Sequence, residues 1–520
     1  MPAAIARISV GWLLLCISVS SFAAAPNIAF FYGARPPWDV LRTFDIVVVE
    51  PAHGIDPRNA SASRTQVFAY VSVGEVEKNR HYVSELPSGA IVATNDVWHS
   101  HVIDQTHPDW PPFFLERVIT PLWNAGYRGF FLDTLDSFHL IATTPEQRAR
   151  QVEALTALIR QLRARFPEAR LIFNRGFELL PHLHGEAYAV AAESLFQGWS
   201  QQSGRYVEVS ASDRAWLLER LNRVRAEYQL PVIAIDYAPP GERALARATA
   251  RRIAELGFVP WVTNADLDLI GVGNIEATPR KVLMLYDGSA RDAQLYVQRI
   301  RKQARQPLEA LGYEVEYADV NAPLPAYPLV GRYAGIVSWF TDDQAVRKPG
   351  VREWLLRQRE HGMRMAVLGH FPFPLTDALA VSFGLSVGSP RLPRAVKVEM
   401  RDPLIVHEDE ANAQRAVFLP LRASAGSTPL LRLRSESGET MDAAALTAWG
   451  GYVLTPYESA PLPGSGGDRW LIEPVEFMRR ALALSPLTAS ERMDRLKRES
   501  AIRNPPEHNA SNRSAPPGPS

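Results

Sequence analysis

The chain has 520 residues, 46% of them hydrophobic, and its 56 basic residues balance 56 acidic ones. That length predicts about three domains with ample buried core, and the lack of a net field argues against a polyanionic partner such as nucleic acid. The single cysteine, Cys16, excludes an internal disulfide and leaves everything after it without thiol chemistry or a cysteine-ligated metal.

Residues 1–25 join Arg7, an apolar run over residues 8–19 and the small-residue stretch SFAAAP. These are the three parts of a secretory leader, so cleavage is expected after Ala25 and a periplasmic or secreted location follows. An uncleaved anchor is the alternative reading. No later stretch offers the roughly 20 uninterrupted apolar residues a membrane span needs, so none is expected in the mature chain.

Residues 26–278 return eight times to one pattern, a short β-rich apolar run followed by polar residues and a helix-compatible segment. The runs are IAFFYG, IVVVEP, VFAYVSVGE, GFFLDTLD, RLIFNRGF, AVAAESLF, VIAIDYA and VPWVTN. Near-continuous apolar strands belong to parallel sheets covered on both faces. TPEQRARQVEALTALIRQLRARF is the clearest helix, with Thr144 as N-cap and Pro145 in the first turn. SDRAWLLERLNRVRAEY and ERALARATARRIAELG are two more, the latter closing near Gly257. Eight such units predict an α/β fold of the (β/α)8 TIM-barrel type, with a doubly wound sheet as its rival. The barrel is favoured because polar residues recur at the C-terminal ends of the runs: Glu50, Glu75, Asp133, Asn174, Glu193, Asp236 and Asn264.

By the two-residue strand period, Asp133 shares a face with Phe131, and Glu193 with Ala189 and Ala191, so both carboxylates can face the mouth. Two carboxylates across a cleft are the equipment of glycoside hydrolysis. They would serve equally to hold a cation, and one of them to pair with Arg175. Asp136 falls in the following loop, as a cap or a substrate contact. Tyr32, Tyr70, Tyr237 and Trp261 sit at or near strand ends, where flat rings stack on sugars or simply fill core. The histidine pairs at 99–101 and 182–184 have no third ligand at a metal-site spacing, so neither a metal nor another cofactor is expected.

Taken in order, FFYG, AYVSVGE, GFFLDTLDSF, FNRGFELL, AAESLF, AIDYA and PWVTN resemble glycoside hydrolase family 114, the endo-α-1,4-polygalactosaminidases. The resemblance runs over residues 27–275. It implies endo-cleavage of an α-1,4-linked galactosamine or N-acetylgalactosamine polysaccharide by a retaining mechanism, with Asp133 as nucleophile and Glu193 as general acid and base. Tyr32, Glu50, Tyr70, Asn174, Asp236 and Tyr237 would shape the sugar subsite, joined in our reading by Asp136 and Trp261. The setting it implies is biofilm exopolysaccharide processing, with an export complex as a further partner. Members of this kind also carry a metal-dependent deacetylase domain, which is not expected here. The competing functional reading is a catalytically silent barrel that binds the polysaccharide or acts as a scaffold.

Residues 279–394 alternate the strand-like KVLMLYDG, YEVEYAD, YAGIVSWF and MRMAVLGHF with helical segments, which predicts a flavodoxin-like doubly wound domain. It lacks the dinucleotide fingerprint G-x-G-x-x-G, and a structural or protein-binding role is expected, with Asp342 and His370 lining any residual cleft. Residues 395–488 read as a β-rich extension of that domain with a closing amphipathic helix. Residues 489–520 are poor in apolar residues and are expected to be disordered.

Overall fold

The computed structural model describes residues 26–60, 64–289, 300, 304–340, 350–375, 377–390, 396–402, 419–454 and 472–485. Residues 1–25, where a leader is expected, residues 486–520 and Asp342 lie outside them. All eight apolar runs form strands: β1 (Ile28–Phe31), β2 (Ile46–Val49), β3 (Gln66–Ser72), β4 (Gly129–Asp133), β5 (Arg170–Asn174), β6 (Ala187–Glu193), β7 (Val232–Tyr237) and β8 (Val259–Thr263). Each pairs in parallel with the next in chain order. β1 lies alongside β8, so the sheet curls into a TIM barrel. The Tyr32 amide donates to the Leu267 carbonyl at 2.7 Å and ties the ends of β1 and β8 together.

Side chains fill the interior, as small barrels require. Phe30 and Phe131 meet edge-on at 5.1 Å, and Ala189 and Ala191 on β6 leave room for them. Outside, the helix Pro145–Arg165 starts with the capping box its sequence announces: Thr144 accepts from the Gln147 amide, and the Gln147 side chain accepts from the Thr144 amide. Losing such a cap costs about 1 kcal/mol. Leu155, Leu158, Ile159 and Leu162 recur at helical spacing and are buried.

The second domain has its own core. Strands β9 (Lys281–Tyr286), β10 (Glu314–Asp319), β11 (Gly335–Phe340) and β12 (Met365–Gly369) lie parallel in the order β10-β9-β11-β12, which is how flavodoxin-like sheets begin. Beyond β12 the same sheet continues with Gly450–Val453, Thr440–Thr447, Thr428–Ser435 and Val396–Arg401. The β-rich segment therefore covers an edge of the parallel half that would otherwise stay open. Gly450 makes the join possible: at φ +142°, a side chain there would meet the Met365 carbonyl at 1.8 Å.

This domain docks on loops at the C-terminal ends of the barrel strands. Arg332 is buried between the two, with Nη1 donating to the Arg35 carbonyl at 2.8 Å and its guanidinium over the rings of Phe31 and Tyr327. Gly331 presses on Ile270 after β8, and Gly241 after β7 presses on the Glu360 carbonyl. The flank formed by β1, β7 and β8 is thus walled, and the flank formed by β3 to β6 carries the barrel's own insertions.

Candidate active site

Six of the strand-end residues form one connected group at the mouth. Asp133, closing β4, accepts from the Tyr70 hydroxyl of β3 at 2.8 Å through Oδ2. Its Oδ1 accepts from Asn174 Nδ2 of β5 at 2.7 Å and from the Thr134 amide at 2.8 Å. The same Asn174 amide reaches Glu193 Oε1 of β6 at 3.3 Å, and the Tyr237 hydroxyl of β7 donates to Glu193 Oε2. Tyr32 at the end of β1 leans on Tyr70, with ring centroids 5.1 Å apart.

Local backbone geometry places these groups. Thr134 and Arg175, the residues directly after Asp133 and Asn174, both adopt left-handed conformations with φ of 59° and 55°. Non-glycine residues there store strain, a feature that concentrates at functional sites. The sharp turn lets the Thr134 amide point back at the carboxylate it follows, while its hydroxyl accepts from the Val73 and Gly74 amides. Only glycine fits at 74, since a Cβ would lie 2.2 Å from the Thr134 carbonyl. Arg175 donates to the Glu193 carbonyl at 2.5 Å and steadies the end of β6, where the Glu193–Ser194 peptide is cis.

Burial raises the pKa of Asp133, opposed by its donors Asn174, Tyr70 and the Thr134 amide. Burial also raises that of Glu193, and the charge of Asp133 raises it further, against the donors Tyr237 and Asn174 and the cation Arg175. With three donors aimed at it, Asp133 is the better suited of the two to carry a negative charge. Glu193, facing that charge, is the better suited to hold a proton. Tyr32, Tyr70 and Tyr237 are held far above the usual phenol range by burial and the nearby carboxylates, so all three are neutral, and Tyr70 and Tyr237 donate to the two acids.

Three expected contacts are buried or already engaged, and a fourth stays at the rim. Asp236 is completely buried, and its two oxygens accept from the amides of Leu195, Phe196 and Gln197, each at 2.7 Å. Adjacent strand residues point to opposite faces, so with Tyr237 facing the mouth Asp236 must face away; it anchors the loop after Glu193 instead of touching sugar. Trp261 is likewise fully buried, packed edge-on against Phe44, and offers no ring to a ligand. Glu50 lies near the mouth but is engaged by a two-pronged ion pair with Arg80 at 2.8 and 2.9 Å, a partner the sequence did not signal because it arrives from a loop. Asp136 stays 44% exposed at the rim, with Arg175 3.9 Å away. Among the described residues no group of three or more His, Cys, Asp or Glu could hold a metal ion, and no helix is long and apolar enough to cross a membrane.

A TIM barrel whose mouth holds two carboxyl groups, bridged by one amide and oppositely suited to carry a proton, has the layout of a glycoside hydrolase. Residues 21–281, half of the chain, match the profile of glycoside-hydrolase family GH114. The chain belongs to that family and is a glycoside hydrolase. Among solved structures it is similar to the glycoside hydrolase domain of PelA from Pseudomonas aeruginosa, at 42% identity over 48% of this chain and 100% of that one, with a TM-score of 0.45. It is also similar to Aspergillus fumigatus Ega3 in complex with galactosamine, at 14% identity over 48% and 93% of the two chains, with a TM-score of 0.36. No curated protein matches it.

Proposed function

We propose that this protein is an exported, endo-acting hydrolase of an α-1,4-linked galactosamine or N-acetylgalactosamine exopolysaccharide, and that it works with retention of configuration. Family membership supports the substrate class, and the composition of residues 1–25 supports export. The observation that carries the mechanism is the Asn174 bridge. With one amide nitrogen 2.7 Å from Asp133 Oδ1 and 3.3 Å from Glu193 Oε1, those oxygens are no more than 6.0 Å apart. That ceiling on the facing oxygens supports the roughly 5–5.5 Å spacing of retaining enzymes over the roughly 6.5–9.5 Å that admits a water.

In this reading the Asp133 carboxylate attacks the anomeric carbon of the α-linked sugar from the opposite face, while Glu193 gives its proton to the departing glycosidic oxygen. A β-configured ester on Asp133 results. Glu193, now ionised, takes a proton from a water that attacks the anomeric carbon and displaces the Asp133 carboxylate, so an α-configured reducing end is released with Glu193 protonated and Asp133 ionised again. Tyr70 and Asn174 hold the nucleophile, and Tyr237 and Asn174 the acid. With Asp236 buried and Glu50 engaged by Arg80, Asp136 is the one of these three acids left at the rim to meet an amine of a partly deacetylated chain. The test is release of reducing ends from such a polymer, with the anomer of fresh product followed by NMR. An α-anomer appearing first is expected; a β-anomer would mean inversion and remove Asp133 as nucleophile. Binding without cleavage would instead leave a polysaccharide-binding scaffold.

A further inference from the structure

Ten large hydrophobic residues are exposed among the described residues, and four of them, Ile91, Val92, Val97 and Trp98, lie in one hairpin. The hairpin is made of Ile91–Asn95 and Ser100–Ile103, with Glu75–Glu77 as the third strand of its sheet, all inserted between β3 and β4. Trp98 stands in the turn at its tip and is 61% exposed. Single exposed hydrophobics need no explanation, but a bare indole beside the exposed Val97 at the tip of an inserted hairpin marks a contact surface.

The hairpin is fastened to the catalytic turn. Glu75 is buried and accepts from Ser100 and Asn95 on the hairpin and from Ser137, just after Asp133, at 2.6 Å. A buried carboxylate saturated in this way makes a rigid joint. The tip is in turn tied to the rim of the mouth. The Lys78 amide donates to the His99 carbonyl at 3.3 Å. Two residues on, Arg80 pairs with Glu77 and Glu50 and lies 5.8 Å above the ring of Tyr70, the donor to Asp133. Trp98 is thus held on the same rim as the cleavage point, beyond the residues that contact it.

We infer that Trp98 is a distal sugar platform, a subsite for a residue of the same polysaccharide lying away from the bond being cut; the substrate class rests on the function proposed above. Galacto-configured sugars present a continuous C–H face that stacks on indole, and a free C2 ammonium adds attraction to the ring face. An endo-acting enzyme needs such remote contacts, which help only long chains.

The experiment uses the full chain with Trp98→Ala and Trp98→Tyr, a partly deacetylated α-1,4-galactosamine polymer, and the shortest oligomer of it that the wild type cleaves. For Trp98→Ala, the ratio of kcat/KM on polymer to that on the oligomer should fall about tenfold, with retardation in gels cast with the polymer lost alongside it. Trp98→Tyr should restore most of both. An unchanged ratio, or equal loss on both substrates, overturns the proposal. So does a shift of Trp98→Ala to a smaller assembly on size exclusion, which would assign the patch to a second copy of the chain. A wild type that is retarded by the polymer without cleaving it defeats the hydrolase reading alone, and the retardation of Trp98→Ala then decides on the platform. A wild type that neither cleaves nor binds overturns both.

Discussion

Among the described residues, the barrel and the second domain both carry acids at the ends of parallel strands, yet in the barrel two of them converge on one amide. In the second domain Asp287 follows β9 and Asp319 closes β10. Asp287 is buried and accepts from the Ser289 amide and hydroxyl and from Asn321; Asp319 accepts from the Gly288 and Asn321 amides and the Asn321 side chain. Each acid takes donors from the loop it begins and one from its neighbour's loop, 34 positions away for Asp287 and 31 for Asp319, so the acids tie two turns together without a donor from a strand side chain among these bonds. Asp133 is served by side chains 63 and 41 positions away, on the strands either side of its own. A closed barrel brings strand ends of distant sequence around one point, whereas an open sheet lays them out along a line. What separates a site acid from a turn acid here is where its donors come from.

The sharpest way to break that contrast is to neutralise one acid of each kind. Asp133→Asn and Glu193→Gln should each lower turnover by about a thousandfold or more, whereas Asp287→Asn should leave turnover at the wild-type level. Asp133→Asn should also melt at or above the wild-type temperature, because the charge of Asp133 repels an ionising Glu193. Comparable activity loss in Asp287→Asn would refute the division of roles.

Asp236 is the intermediate case, a strand-end acid of the barrel whose donors are distant in sequence but are all backbone. Asparagine there turns an amino group toward three amides that need an acceptor, so the loop after Glu193 should shift and kcat should fall about 10- to 100-fold. Burial pushes the Asp236 carboxyl up to about 6, against the opposing pull of the three amides. A folded-state pKa above the ordinary value of 3.8 means that the protonated form suits the fold better. The stability this provides is present below about pH 4 and lost as pH rises through 6, on the order of 3 kcal/mol in all. Asp133 and Glu193 are raised too and act in the same direction. The melting temperature of the wild type should therefore fall between pH 4 and 7, less steeply in Asp236→Asn; equal slopes would show that Asp236 does not titrate in this range.

Much of this was legible in the sequence. The eight strands were visible because strands buried on both faces leave near-continuous apolar runs, and the meeting of Asp133 and Glu193 at the mouth because the two-residue period carries both inward from strand ends. That same period could have decided between Asp236 and Tyr237, since neighbours cannot both face the mouth. Trp261 was not separable this way: it shares the inward face with Ile235 and Tyr237, and only its packing against Phe44, which is remote in sequence, shows that it is sealed in the core. Arg80 and the anchoring of Glu75 were beyond reach for a related reason. Both depend on how the insertion after β3 folds back on the barrel, and no local pattern encodes that path.

The smallest effect expected is also the one that reads the two acids separately. Tyr70 donates to Asp133 and Tyr237 to Glu193, and in each case the bond holds the carboxyl's pKa down. Phenylalanine removes the donor and keeps the ring, so each variant should lose only severalfold at its optimum. The pH profile of kcat/KM then separates them. The acid limb reports the nucleophile, which must be ionised, and the basic limb reports the acid, which must be protonated. Tyr70→Phe raises Asp133 and should move the acid limb to higher pH, narrowing the bell. Tyr237→Phe raises Glu193 and should move the basic limb to higher pH, widening it. If Tyr70→Phe moved the basic limb and Tyr237→Phe the acid limb, the roles of the two carboxyl groups would be exchanged, with Glu193 as the nucleophile. The Asn174 bridge would stand unchanged, because it touches both acids and favours neither assignment.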